Sequence, residues 1–166
     1  MLRISKLADY ATVVVSFMAR SPGETHSAAK IAERLDIGQP TVSKILKLLA
    51  RAKLLTALRG VNGGYSLARV PAQISIADII DAIEGIPLGV TECSSMPGIC
   101  AQESACEIRG NWQKINLAVR QALAGVTLAD MVLPQSISAP ATILAPPRRP
   151  PAGGRSVLLA RARERT

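Results

Sequence analysis

The sequence predicts a mainly α-helical chain. Its first half reads as a winged helix–turn–helix, and a long helix and a disordered tail follow. Three observations carry this. The chain is 48% hydrophobic but only 2% aromatic, so its core has to be built from Leu, Ile, Val and Ala, which favours packed helices over an aromatic-rich β fold. Apolar residues recur near a 3.6-residue period through three successive stretches. Two short β-prone runs around VNGG then break that period.

The elements follow in order. Leu7, Ala11, Val14, Val15 and Met18 predict a helix over residues 5–20, with Ser5 as its cap. SPGETH (21–26) is a turn, and its His26, the single histidine of the chain, is expected on the surface. Ser27 caps a second helix, SAAKIAERLDI, with Ile31, Ala32 and Leu35 inward and Gly38 ending it. Pro40 opens a third helix, TVSKILKLLARAKLL, whose Val42, Ile45, Leu46 and Leu49 share a face. LLTALRG and YSLARV read as paired strands, and Gly63 and Gly64 are expected to supply the positive φ of their turn. Ser75 caps IADIIDAIEG, which Gly85 ends.

A Ser/Gly/Pro-rich loop follows. From Cys106 to Ala124 the spacing of Trp112, Ile115, Val119 and Leu123 predicts a long amphipathic helix, and TLADMV a last short turn of helix. After that, prolines, glycines and arginines without periodicity predict disorder. The domain boundaries are therefore 1–85 for the winged helix–turn–helix, 86–105 for the cysteine loop, 106–132 for the long helix and 133–166 for the basic tail.

Charge is segregated along the chain. Residues 1–70 hold eleven Lys/Arg against four Asp/Glu, residues 71–132 three against seven, and residues 133–166 six against one, within a total of +8. The basic first segment is the electrostatic footprint expected of a protein that binds a polyanion, and together with the helix–turn–helix and wing it points to double-stranded DNA. Short polar side chains near the start of the third helix, Gln39, Thr41, Ser43 and Lys44, are placed to reach base edges in a major groove. Lys47 and Arg51 lie further along and suit phosphates, and Arg59 beside the wing turn suits a minor groove. The tail arginines read as a solvated segment or as sequence-independent help in holding DNA. No apolar run is long enough to cross a bilayer, and no cleavage site follows VVVSFMA, so the chain is expected in the cytosol without a membrane partner.

All three cysteines fall in TECSSMPGICAQESACEIRG, at Cys93, Cys100 and Cys106. An odd number in a reducing compartment argues for metal or redox chemistry rather than a structural disulfide. Thiolates are soft ligands that suit an iron–sulphur cluster or zinc. A metal-free thiol switch and inert buried thiols are the other readings. Cys106 is expected at a helix start, where the dipole would favour its thiolate. An enzyme is not indicated: there is no CxxC pair and no Ser–His–Asp set, and Gly63-Gly64 lacks the Gly-Lys-Ser/Thr ending of a phosphate loop.

ISKLADYA, SAAKIAERLDI, TVSKILKLLARAKLL, RGVNGGYSLAR, ISIADIIDAIEG and the spaced cysteines, collinear over residues 1–132, resemble the IscR/NsrR/SufR-like family of bacterial winged-helix regulators that carry iron–sulphur clusters. The opening MLRISKLADYATVVV is most similar to gammaproteobacterial regulators of SUF iron–sulphur assembly genes. The resemblance implies a repressor that is a homodimer on a palindromic operator, with the long helix as its dimerisation helix. It also implies a cluster, of the 2Fe–2S type by preference and 4Fe–4S otherwise, held by Cys93, Cys100 and Cys106.

Some members place a histidine three residues after the third cysteine. Here that position is Arg109, which cannot bind a metal. Others use an acidic residue of the first helix from the partner subunit, and the matching position is Asp9, with Glu92, Glu103 and Glu107 as nearer rivals. The alternative is that Asp9 serves only the dipole of its own helix. Position 43, acidic in some members, is serine here, so the operator is expected to differ from theirs. Within the resemblance, the signal could be iron, oxygen, nitric oxide or redox state.

Overall fold

The structure, a computed structural model, describes residues 4–60 and 63–133. The expected disordered tail, apart from Leu133, lies outside them. The described part is mainly helical with one small antiparallel sheet.

Helix α1 (Lys6–Ala19) is capped by Ser5, whose side chain accepts the Ala8 N–H. It buries Ala8, Ala11, Val14, Val15 and Met18. Helix α2 (Ala28–Leu35) is capped by Ser27 but ends before Gly38. Its last turn is closed by Asp36 in the left-handed conformation (φ 53°), a state a short polar side chain tolerates. Gly38 instead stands at the N-cap of helix α3 (Gln39–Arg51), with Pro40 in the first turn. The glycine expected to end one helix therefore begins the next.

Helix α3 is shorter than its apolar pattern suggests. The Lys53 N–H bonds to the Ala50 carbonyl and the Leu54 N–H to the Leu49 carbonyl, with Lys53 at φ 60°. This is a Schellman ending without its usual glycine, closed by buried Leu49 and Leu54.

The wing is β1 (Leu55–Leu58) paired with β2 (Gly64–Leu67), with Leu55 opposite Leu67 and Leu58 opposite Gly64. The expected role of Gly63 and Gly64 is corrected here. The left-handed glycine of the turn is Gly60 (φ +117°). Gly63 and Gly64 are required because backbone approaches them: a Cβ on Gly63 would lie 2.6 Å from the Leu58 carbonyl oxygen, and one on Gly64 2.6 Å from that of His26.

The reason is a second backbone pairing. His26 and Tyr65 exchange both N–H···O bonds, each 2.9 Å, and so fasten the wing to the turn before α2. His26 is accordingly not on the surface: it is 3% exposed, with its ring edge-on to Phe17 at 5.3 Å. A turn position suggested exposure, but the strand pairing buries the side chain against α1.

Helix α4 (Ile76–Glu84) opens with a capping box between Ser75 and Asp78 and closes on Gly85 at φ 74°, as its sequence indicates. Helix α5 (Glu92–Ser95) lies inside the segment read as loop. Helix α6 (Arg109–Ala124) and helix α7 (Leu128–Val132) follow, the latter with its own capping box between Thr127 and Asp130. The starts of α4 and α7 are tied by two backbone bonds, Ile76 N–H to Val126 and Leu128 N–H to Ile74.

The core is aliphatic, as composition requires. Met18, Ile31, Ile45, Leu46, Leu49, Ile79 and Leu128 are among its fully buried members. Each contributes about 1.5–3 kcal/mol of burial. No helix among the described residues is long and apolar enough to cross a membrane.

Burial holds the His26 imidazole below its ordinary pKa, outweighing the opposing pull of the Glu24 carboxylate. The unfolded chain therefore takes up a proton that the folded one resists. This stability is complete above the unfolded value and is lost as pH falls through it. Urea denaturation from about pH 7.5 to about pH 5 is expected to show wild type weakening on acidification and His26→Phe weakening much less; an equal slope would contradict the assignment. By the same pairing, Gly64→Ala is expected to lose about 1–3 kcal/mol.

Candidate nucleic-acid interface and cysteine segment

Helix α3 has one buried face, Val42, Ile45, Leu46 and Leu49. Gln39, Ser43, Lys47 and Arg51 recur every fourth residue and form a strip on the other side. Gln39, Lys44, Lys47 and Arg51 are exposed, while Thr41 and Ser43 are half-buried beside the core edge. Gly38 gives this helix no side-chain cap. The Gly38 carbonyl instead accepts the Thr41 and Val42 N–H groups at 2.9 and 3.1 Å, and Pro40 has no N–H to satisfy. Arg59 is exposed at the end of the wing. All seven residues singled out for DNA thus lie on α3 or on the wing beside it, and none is fully buried.

The acidic half is built differently. Cys93 sits in α5, nearly buried, with its Sγ 3.3 Å from the Thr91 hydroxyl. Cys100 and Cys106 are half-buried and flank a tight turn, Glu103–Ala105. Cys106 is not at a helix start. The N-cap of α6 is Ile108, so Cys106 lies outside the first turn, where the expected dipole effect is concentrated. Its carbonyl accepts the Arg109 N–H.

Arg109 itself pairs with Glu103 at 2.6 Å, and the same carboxylate accepts the Gly98 N–H at 2.5 Å. The residue standing where a histidine ligand might be therefore closes the loop instead. Glu92 and Glu107 are exposed.

Asp9 is exposed in the first turn of α1. With Lys6, Thr12, Ile80, Leu123 and Met131 it lines an open groove of about 630 Å³. Among the described residues, no three His, Cys, Asp or Glu side chains converge on a point that could hold a metal ion. Thiol donors have the right chemistry for a cluster. The single chain, as folded, does not gather them, and it does not bring Asp9 to them.

The segment is nonetheless anchored. Asn116, the one buried residue of α6, accepts the Val90 N–H at 3.1 Å and donates to the Ser94 carbonyl at 3.4 Å. One turn further on, Arg120 forks Asp81 of α4 at 2.8 and 3.2 Å, which raises the arginine's pKa, and Asp81 also accepts the Leu88 N–H at 2.8 Å. The sequence reading missed Asn116, Arg120, Asp81 and the burial of His26. A visible signal for the first two was their i, i+4 spacing on a helix otherwise read for its apolar residues.

The Rrf2 family model, described as an iron-dependent transcriptional regulator, matches residues 4–134. The chain belongs to the Rrf2 family. A relative from Azotobacter vinelandii, ORF2, described as a candidate HTH-type transcriptional regulator, is 30% identical over 132 residues, 79% of each protein.

Three solved structures of Rrf2-like proteins share the fold. CymR, the global cysteine regulator of B. subtilis, has a TM-score of 0.60 at 28% identity, covering 80% of this chain and 97% of that one. IscR of T. potens has 0.57 at 30%, covering 79% and 86%. An oxidised form of CymR from Staphylococcus aureus has 0.58 at 27%, covering 81% and 98%. This Rrf2 protein is a DNA-binding transcriptional regulator, and the relatives are regulators rather than enzymes.

The burial order of the thiols makes a prediction. In the reduced, metal-free protein under native conditions, Cys100 and Cys106 are expected to react with an aromatic disulfide reagent before Cys93 does. Peptide mapping of partly labelled protein checks this, and Cys93 labelled first would refute it.

Proposed function

We propose that this Rrf2 regulator acts as a homodimer on a palindromic operator, with its cysteine segment as the sensor. The observation that carries the DNA reading is the exposed strip on α3 beside Arg59 of the wing. Gln39, Thr41, Ser43 and Lys44 read bases, Lys47 and Arg51 meet phosphates, and Arg59 enters the minor groove. The dimer reading is supported by α6. Of its stripe residues, Ile115 is 46% exposed and Trp112, Val119 and Leu123 are only half-buried, so the stripe lacks full cover from its own chain.

In the first reading, which rests on the resemblance of the cysteine segment and agrees with a family described as iron-dependent, the sensor is an iron–sulphur cluster, 2Fe–2S by preference. Cys93, Cys100 and Cys106 would hold it, and Asp9 of the partner subunit would complete it. When bound, such a group supplies a redox- and iron-dependent bond set. Asp9 stands on an open groove, accessible to a second chain. It belongs to the DNA-binding half and the cysteines to the other, so a shared site would tie the two together and bias the spacing of the recognition helices. Repression of SUF assembly genes is the target proposed on the resemblance of the N-terminal stretch. A metal-free thiol switch is the second reading. It is favoured by the lack, among the described residues, of a converging group of side chains that could hold a metal, and by the similarity to an oxidised CymR.

Anaerobic purification with iron and sulphide analysis, followed by Mössbauer spectroscopy of reconstituted wild type and Asp9→Ala, separates the readings. The cluster reading expects bound iron with one site altered in the variant; no iron after reconstitution overturns it in favour of the thiol switch. For DNA, Lys47→Ala, which removes one phosphate contact from each subunit of the dimer, is expected to lower the slope of log K against log salt by about 1.8 without changing sequence preference. Gln39→Ala is expected to relax preference at one base pair in each half-site, a loss of about 1–3 kcal/mol per half-site. Unchanged binding in both would remove α3 as the reading helix.

A further inference from the structure

We propose that Asn116 is a positioning residue that couples the chemical state of the cysteine segment to the DNA-binding half, through Arg120 and Asp81. The inference rests on the reading of that segment as the sensor and names how its state travels.

Asn116 is 8% exposed, on a helix with no other buried residue. An apolar side chain would fill such a site more cheaply, because a buried amide has to recover its lost hydration through hydrogen bonds. Asn116 recovers it from two backbone groups alone, the Val90 N–H and the Ser94 carbonyl. These lie on either side of Cys93, so the amide straddles that cysteine and holds the start of α5. Any ligation or modification that draws Cys93 out of its nearly buried place against the Thr91 hydroxyl has to move Ser94, and with it one of the two anchors.

One turn along the same helix, Arg120 meets the Asp81 carboxylate with two N–H groups, and its Nη1 also lies 3.5 Å from the Leu88 carbonyl. Asp81 in turn holds the Leu88 N–H. Both ends of segment 88–94 are therefore pinned to one face of α6, and α6 is pinned to α4. The opposite face of α4, with Ile76, Ile79, Ile80 and Ile83, packs in the core with α1 and the recognition helix α3. A shift of α5 against α6 is thus passed to α4 through a charge-assisted, two-pronged bond, the kind that fixes orientation as well as distance.

The test is a comparison of two states in wild type and variants. The full-length protein is prepared either reduced or with its thiols capped by methyl methanethiosulfonate, the extent verified by mass. The affinity for a fluorescein-labelled palindrome, enriched by the wild type from random duplexes, is measured by anisotropy. Wild type is expected to change affinity about tenfold or more between the states, within the usual range of coupling. Asn116→Leu is expected to keep its reduced-state affinity within about twofold and to lose most of that change. Asp81→Asn, which keeps shape and removes charge, is expected to do the same, and it covers the case in which the leucine variant fails to fold. A merely structural tie would lower thermal stability and leave the ratio between states intact; that result overturns the proposal. A wild type that binds equally in both states overturns the sensor reading and the coupling with it, whereas a responsive wild type with equally responsive variants overturns the coupling alone.

Discussion

Helix α4 is the constraint on which both halves of this regulator depend. Its buried face joins the aliphatic core with α1 and α3, and its first turn is fixed by the Ser75–Asp78 capping box and by the paired start of α7. Its other side carries Asp81, which holds Arg120 and the Leu88 backbone. Removing the apolar face would dissolve the platform that aims α3. Removing Asp81 would leave the platform intact and unfasten the cysteine half. The two functions of one short helix are separable because a helix presents different residues to opposite sides.

The energetics of the halves differ in kind. The DNA-binding half is held by burial: large aliphatic side chains with no polar atoms to satisfy, worth about 1.5–3 kcal/mol each. The cysteine half is held by a few directional bonds: Asn116 to the backbone around Cys93, Arg120 to Asp81, and Arg109 to Glu103. Partly exposed ion pairs of this sort contribute about 0–1 kcal/mol each. A segment so held opens at lower cost than the core, which suits the sensing role proposed for it.

The wing illustrates how local rules and tertiary contacts divide the work. Its two strands and the glycine-rich connection follow from β-prone runs around VNGG. The reason for Gly64 does not, because it lies in the carbonyl of His26, a residue about forty positions away in sequence. The same contact explains why a histidine in a turn is buried. Arg59, proposed to meet DNA, lies at the end of a wing that this backbone pair holds to the body.

The sequence alone determined the helices other than α5, the serine caps of three of them, the aliphatic core, the hairpin and the basic face of α3. Each of these depends on residues close together in the chain, through periodicity, capping and charge. It also marked the cysteines as the second point of interest. Only the tertiary structure decided that Gly38 begins α3 rather than ending α2, that Cys106 stands clear of the α6 terminus, and that Arg109 is spent on Glu103. It alone brought Arg120 to Asp81 across 39 residues of sequence, and Asn116 to the backbone at Val90 and Ser94. Contacts of that range leave no periodic trace, since each needs one partner at one place in the fold and no pattern in its neighbours.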